Sequence, residues 1–381
     1  MRVARFDGAD PSFPISVLEV SDPDLPNEEW VRVQVAYGGI CGSDLHNVYP
    51  NGTGTRALQP FVRAPMDVGH EVSGVVVEAG RSSTLAVGQR VTLDPTIGCA
   101  ARSAPLCPRC AEGAPSACLR FVEAPYGFGT GFCVNTGGGW GTHFLAHFSQ
   151  LHRVPETVDD ATAALTEPLS VAVHGLRRRL PNNGEPILIV GAGIIGLTSV
   201  VASRALCPES EITVLARHPH QTAAARRLGA HHVVRPDEGT EYFGELAALS
   251  GGTVIGRRDT TMMNGGYPYV VEAVGTGASV ELSFRLCGQR GTVLMIGGVN
   301  RVTLDLSALW FKELHAVGTL CHAFDGGAHS FELAIEMLDR GSLPAEAVVT
   351  HTFGLSDLQE ACATAADKSS GSIKVLIDPT R

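Results

Sequence analysis

The sequence predicts an α/β protein of two domains, one rich in short strands and the other built on a doubly wound parallel sheet. The chain has 381 residues, a length that suits two domains of roughly 100–200 residues each. Up to about Pro155 it reads as short strands broken by Gly and Pro. From about Glu167 strands alternate with helices, and such alternation implies a parallel sheet covered by helices on both faces.

In the first region, residues 31–37, 74–77, 90–93 and 141–145 have the short apolar runs of strands. In the second, strands are expected at 187–190, 212–215, 233–234, 269–272 and 292–296, with helices at 194–205, 221–228, 241–249 and 278–286. Beyond His322, helices at 329–340 and 356–367 and a strand at 373–377 are expected to rejoin the first region. One domain is therefore expected at 1–170 together with 323–381, and the other at 171–322. Residues 251–268 fit neither period and are expected to form an extended loop.

Composition narrows the function. The chain is 44% hydrophobic and 18% charged with 44 glycines, which excludes a disordered or fibrous protein. Its 29 Lys and Arg against 39 Asp and Glu give a net charge of −10, which argues against nucleic acid as a partner. The start, Met1-Arg2-Val3-Ala4-Arg5-Phe6-Asp7-Gly8, lacks the apolar core of a signal peptide, so a cytoplasmic address is expected. Residues 186–203 carry no charge and approach spanning length, but three glycines mark them as strand, turn and helix, and no membrane segment is expected. Ten cysteines in a chain long enough to fold without staples point to metal rather than disulfides.

The run Ile187-Leu188-Ile189-Val190-Gly191-Ala192-Gly193-Ile194-Ile195-Gly196 is a buried strand entering G-x-G-x-x-G and then a helix. Gly191 allows the tight turn, Gly193 the close approach of a pyrophosphate, and Gly196 the packing of helix on strand. Phosphates would sit on the N-terminus of the helix that begins with Ile194 and Ile195. About twenty residues past Gly196, where an acid normally binds the ribose hydroxyls, stand Ala216 and Arg217, followed by His218, Pro219 and His220. Loss of the carboxylate and gain of a guanidinium favour NADP over NAD.

Cys99, Cys107, Cys110 and Cys118 have the spacing Cys-x7-Cys-x2-Cys-x7-Cys, which suits a closed tetrahedral zinc site with a structural role. A second set is dispersed: Cys41 with Ser43, Asp44 and His46, then His70 and Glu71, then Glu167 before Pro168. Cysteine, histidine and carboxylate form a mixed ligand set that leaves zinc a position for water or an alcohol oxygen. Trp140, Phe128 and Phe132 suit either a pocket wall or the core.

These segments resemble, in the same order, the zinc-containing medium-chain dehydrogenase/reductase family of alcohol, sorbitol, threonine and glucose dehydrogenases. The likeness rests on Gly39-Ile40-Cys41-Gly42-Ser43-Asp44-Leu45-His46, Gly69-His70-Glu71, the four-cysteine lobe, Glu167-Pro168-Leu169-Ser170 and the glycine motif. It implies a GroES-like catalytic domain, a Rossmann coenzyme domain and a cleft between them. It also implies Cys41 and His70 as ligands of a catalytic zinc, with Glu71 or Glu167 supplying a carboxylate directly or through water. Asp44 would orient His70, and Ser43 would pass the alcohol proton toward His46. One departure concerns the lobe: the family places two residues between its first and second cysteines, and this chain has seven, so a distorted site or a displaced first ligand is expected.

The reaction implied is reversible oxidation of a secondary alcohol in a polyol, sugar or amino alcohol, with hydride transfer to nicotinamide. A zinc-independent quinone or enoyl reductase of the same fold would have no need of Cys41, His70 and Glu167. A non-catalytic protein that binds nucleotide and zinc would have no need of Ser43 and His46. A homodimer or homotetramer is expected, because an apolar stretch, Arg301-Val302-Thr303-Leu304-Asp305-Leu306, follows the strand at 291–296 where the sheet should end.

Overall fold

A computed structural model describes residues 1–8, 10, 12–49, 64–236, 239–299 and 301–381. The chain divides into two compact units, Met1–Ser170 with Cys321–Arg381, and Val171–Leu320.

In the first unit, the central strand Trp30–Gly39 lies between Glu71–Ala79 and Lys374–Asp378 and is antiparallel to both. Arg90–Leu93 and Leu151–Arg153 extend the sheet on one side and Val349–Gly354 on the other, while His143–His147 also pairs with the central strand. The C-terminal segment is thus stitched into the sheet, with Leu376 opposite Gly39 and Gly39 opposite Glu71. Valines at 31, 33 and 35 alternate inward against Val72, Val76, Val91 and Leu93, the period-2 burial that strands impose.

A short helix, Gly42–Val48, follows the central strand. Its Leu45 and Val48 pack with Ile40, Trp140, Leu358, Val375 and Ile377 in one buried cluster. Phe128, Phe132 and Trp140 are also buried, and the Trp140 indole N–H donates to Gly39 O at 3.0 Å. These rings belong to the core.

The second unit holds six parallel strands in the spatial order His232–Val234, Ile212–Leu215, Ile187–Val190, Tyr267–Glu272, Cys287–Met295 and His315–Gly318. Numbered along the unit, that order is 3-2-1-4-5-6, the doubly wound arrangement with its switch point between Ile187–Val190 and Tyr267–Glu272. Strands 187–190 and 212–215 are four-residue apolar runs buried throughout, as a sheet covered on both faces requires.

Two expectations fail here. Residues 251–268 are not an extended loop: Thr253–Ile255 pairs antiparallel with Met262–Asn264, around a single 3-10 turn at Arg258–Thr260. Three-residue strands are too short for alternation to show in the sequence. The sheet edge is also not 301–306, which forms no strand, but His315–Gly318, paired in parallel with Cys287–Met295. Among the described residues, no helix is long and apolar enough to cross a membrane.

Candidate active site

Cys41 stands at the N-cap of the helix Gly42–Val48, where the Asp44 side chain reaches back to accept from its backbone N–H at 3.0 Å. This is half of a capping box, and it places the buried Asp44 beside the helix start. The other oxygen, Asp44 Oδ1, lies 3.5 Å from His70 Nδ1. Desolvation opposes a charge on the buried His70 ring, and Asp44 and Cys41 both favour it. Ser43 and His46, three residues apart, share one stretch of the same helix and are partly exposed. Burial favours the neutral form of His46, against the pull of the Asp44 charge.

Glu71 is buried and ion-paired with Lys374, itself buried and also donating to Ile40 O at 2.9 Å. A side chain at Gly39 would collide with the Glu71 carboxylate and the Lys374 stem, so the glycine is what lets the pair meet across the central strand. The second carboxylate oxygen, Glu71 Oε1, is buried without a partner. Glu167 lies in the first turn of the helix Thr166–Arg178, where an acid suits the helix dipole. Its Oε1 is 3.0 Å from His322 Nε2, and His322 Nδ1 is 3.3 Å from Asp94 Oδ1. Burial opposes a charge on His322, but Asp94 and Glu167 outweigh it and raise the ring to about 9. The charges of His70 and Lys374 are felt at Glu167, and that of Glu167 at Glu71, so these groups form one electrostatic cluster.

By residue type Cys41, His70 and a carboxylate suit zinc, and Glu71 Oε1 is an oxygen for which the protein supplies no hydrogen; among the described residues, however, their ligand atoms do not all lie within 4.8 Å of one another, as those of the lobe cysteines do. Sequence reasoning missed Lys374, His322 and Asp94. Only Lys374 left a trace: a lysine within the apolar run Ile373-Lys374-Val375-Leu376-Ile377 must find an anion.

The four lobe cysteines come together with their sulfurs all within 4.8 Å of one another. Cys99 Sγ is 3.6 Å and Cys107 Sγ is 4.0 Å from Cys118 Sγ. Four sulfurs about 2.3 Å from a tetrahedral zinc would be about 3.8 Å apart, so the spacing fits the ion and excludes a disulfide. Backbone N–H groups of Cys99 and Cys107 reach Cys110 Sγ and Cys99 Sγ at 3.5 and 3.4 Å. Those of Cys110 and Leu119 hold Cys107 down to about 6. The expected displacement of Cys99 is not seen: the seven residues after it fold into turns that return Cys107 to the cluster.

A further group with metal-ligand spacing is Asp94, His152 and His329. Here His329 Nδ1 accepts from Phe331 N–H at 3.2 Å, so the neutral ring carries its proton on Nε2 and offers it to Asp94 Oδ2 at 3.5 Å rather than a lone pair to a metal.

In the second unit, Gly191 has φ +101°, a conformation that favours glycine. A Cβ at Gly196 would strike the Gly191 carbonyl, whereas one at Gly193 would meet nothing within 4 Å. Gly196 therefore serves packing, and Gly193 faces open space in front of the helix Ile194–Leu206, a cradle that fits a dinucleotide pyrophosphate. Ala216 is buried and Arg217 exposed, just before the helix Pro219–Arg227.

The pattern of the alcohol dehydrogenase GroES-like domain matches residues 27–156, and that of the zinc-binding dehydrogenases matches 195–340. A sorbitol dehydrogenase of Arabidopsis thaliana is 29% identical over 91% of this chain and 88% of its own. The probable D-xylulose reductase A of Arthroderma otae is 30% identical over 89% and 87%. Among solved structures, one described as a zinc-binding dehydrogenase from Sinorhizobium meliloti 1021, bound to NADP, superposes with a TM-score of 0.78 at 26% identity, covering 99% of both chains. L-idonate 5-dehydrogenase of Escherichia coli gives 0.78 at 25% identity, over 99% of this chain and 97% of that one. With residues 27–156 and 195–340 both matched, and with a relative 30% identical over 89% of the chain, the chain belongs to the zinc-containing medium-chain dehydrogenase/reductase family.

Proposed function

We propose that this NAD(P)-dependent zinc dehydrogenase oxidises a secondary alcohol of a polyol or sugar, with Cys41, His70 and a carboxylate holding the catalytic zinc. The observation that carries the reading is Asp44, which accepts from the Cys41 backbone N–H with one oxygen and lies 3.5 Å from His70 Nδ1 with the other. The sorbitol, xylulose and idonate relatives support the substrate class. Zinc in this position supplies Lewis acidity toward an alcohol or carbonyl oxygen. Asp44 orients His70 and strengthens it as a ligand. Ser43 takes the hydroxyl proton, and His46, kept neutral by burial, is the acceptor that moves it toward solvent. Arg217, with Ala216 in place of an acid, favours NADP.

The test is a panel of polyols and their carbonyl products with each cofactor, followed by the absorbance of reduced nicotinamide. Cys41→Ser should remove one zinc and most turnover while the lobe keeps its own ion. Full activity without the Cys41 site would overturn the assignment. A homodimer or homotetramer completes the proposal: Trp310 and Phe311 are 81% and 61% exposed shortly before the edge strand His315–Gly318, apolar surface suited to a symmetry mate. Light scattering that gives a monomer mass at micromolar concentration would refute it.

A further inference from the structure

The two carboxylates of the catalytic cluster are held by different means. Glu71 meets the Lys374 ammonium directly, a full charge on a flexible stem. Glu167 meets a ring, and the ring is itself anchored. His322 is fully buried, its Nε2 on Glu167 Oε1 at 3.0 Å and its Nδ1 on Asp94 Oδ1 at 3.3 Å. Asp94 is fixed in turn: Oδ1 accepts from Thr96 N–H at 2.9 Å, and Oδ2 lies 3.5 Å from His329 Nε2. Phe331 stands edge-on to the His322 ring at 4.8 Å and stops it from tilting. The turn after His322 explains how one segment supplies both histidines. Phe324–Asp325 and Ala328–His329 pair across Gly326 and Gly327, both at positive φ, which returns His329 to the Asp94 side.

An imidazole clamped at both nitrogens has no rotational freedom, so the oxygen it holds is fixed as well. Partners behind a metal's carboxylate set its direction. We propose that His322, anchored by Asp94, is a positioning residue that fixes the Glu167 carboxylate for the catalytic zinc. The inference rests on the reading that Cys41, His70 and a carboxylate hold that ion. It goes further in making Glu167 the pre-aimed carboxylate, aimed by residues that the family motifs do not contain.

The two ring nitrogens can be tested separately in the full-length zinc-loaded enzyme. In His322→Gln the side-chain amide falls where Nε2 stood and still donates to Glu167, but Asp94 is lost. In His322→Asn the amide falls where Nδ1 stood, so it keeps Asp94 and cannot reach Glu167. Zinc affinity of the Cys41 site is measured by chelator competition, with the four-cysteine zinc as internal control, and the ligand field by the visible spectrum of the cobalt-substituted site. Positioning predicts that His322→Asn, which loses the contact to Glu167, falls about 10–100-fold in affinity and shifts the cobalt bands, while His322→Gln, which keeps the donor but loses the anchor, falls by clearly less, both with an unchanged lobe zinc. Wild-type affinity and spectrum in His322→Asn, or equal losses in the two variants, would overturn the inference. A wild type that binds only the lobe zinc would instead overturn the catalytic reading itself.

Discussion

The four-cysteine lobe should depend on its ion for structure, and Cys107→Ser tests this most directly. The lobe has little else to hold it. Cys99, Cys107 and Cys118 form a small buried cluster with Cys110 and Phe121 packed on it, and Ala101 tucks in beside Trp30, while Leu106, Leu119 and Val122 are 60%, 67% and 56% exposed. Structural zinc contributes about 10–16 kcal/mol in small zinc domains, so one of four equivalent sulfurs accounts for about 2.5–4 kcal/mol. Serine offers a harder, less acidic donor and loses the N–H contacts that favour the Cys107 thiolate. In a folding unit of 150–250 residues each kcal/mol moves Tm by roughly 2–4 °C, which predicts a fall of roughly 5–16 °C. The assays are metal content by mass spectrometry, Tm by calorimetry and proteolytic cleavage between Cys99 and Cys118. Wild type should keep two zinc ions through a chelator wash that strips the variant to one, the lobe ion being held about 10²–10³-fold less tightly, with faster cleavage in the lobe. One zinc in the wild type, or a variant with both ions and an unchanged Tm, would show that the sulfurs cluster without a metal.

Three more expectations follow from single residues. Arg217→Ala should weaken NADP binding by about tenfold to a hundredfold, the worth of a charge-assisted hydrogen bond, and Ala216→Asp should reverse the preference; a kcat/KM ratio of the two cofactors that does not move would make Arg217 an ordinary solvated side chain. Lys312 is buried with its ammonium on the carbonyls of Phe284, Arg285 and Cys287 at 3.3, 2.9 and 2.7 Å, closing the end of the helix Gly277–Leu286. Lys312→Met should cost about 2–4 kcal/mol in urea unfolding, and a loss under about 0.5 kcal/mol would contradict that role. Burial, with the charges of His329 and His322 and against that of Asp94, pulls His152 down to about 3. The unfolded chain, near 6.5, then binds the proton that the folded chain refuses. This part of the stability is complete above about pH 6.5 and falls toward pH 3, by at most about 1.4 kcal/mol per pH unit. His152→Phe, which keeps the stacking on Phe331, should flatten that limb; superimposable acid limbs would refute the assignment.

What was legible in the sequence is what local chemistry writes. Gly191, Gly193 and Gly196 act on one turn of backbone, and Cys41 and Asp44 on one helix cap, so spacing alone exposes them. The strands at 187–190 and 212–215 are legible because burial on both faces leaves no polar residue to blur them. The buried cluster around Glu71 and Glu167 is different in kind. Lys374 meets Glu71 across 303 residues, His322 meets Glu167 across 155, and Asp94 meets His322 across 228. No period or motif links such positions; only the return of the C-terminal strand to the central one brings Lys374 within reach of Glu71.

That distribution also says what the cluster is for. Asp44, Glu71, Asp94 and Glu167 are all buried, and taking a charge out of water costs several kcal/mol even when it finds a partner. An apolar core in the same volume would be at least as stable, so stability does not account for four buried acids with their histidines and lysine. Each acid instead leaves something exact in place. Asp44 leaves an oriented His70, Lys374 leaves Glu71 with one free oxygen, and Asp94 leaves an immobilised His322 behind Glu167. Burial and then the Glu167 charge raise Glu71 against the pull of Lys374, and a cation binding beside the two carboxylates would offset their repulsion. The catalytic unit should therefore gain stability on binding zinc at the Cys41 site, over and above what the lobe provides, because the ion binds the folded arrangement and not the unfolded chain.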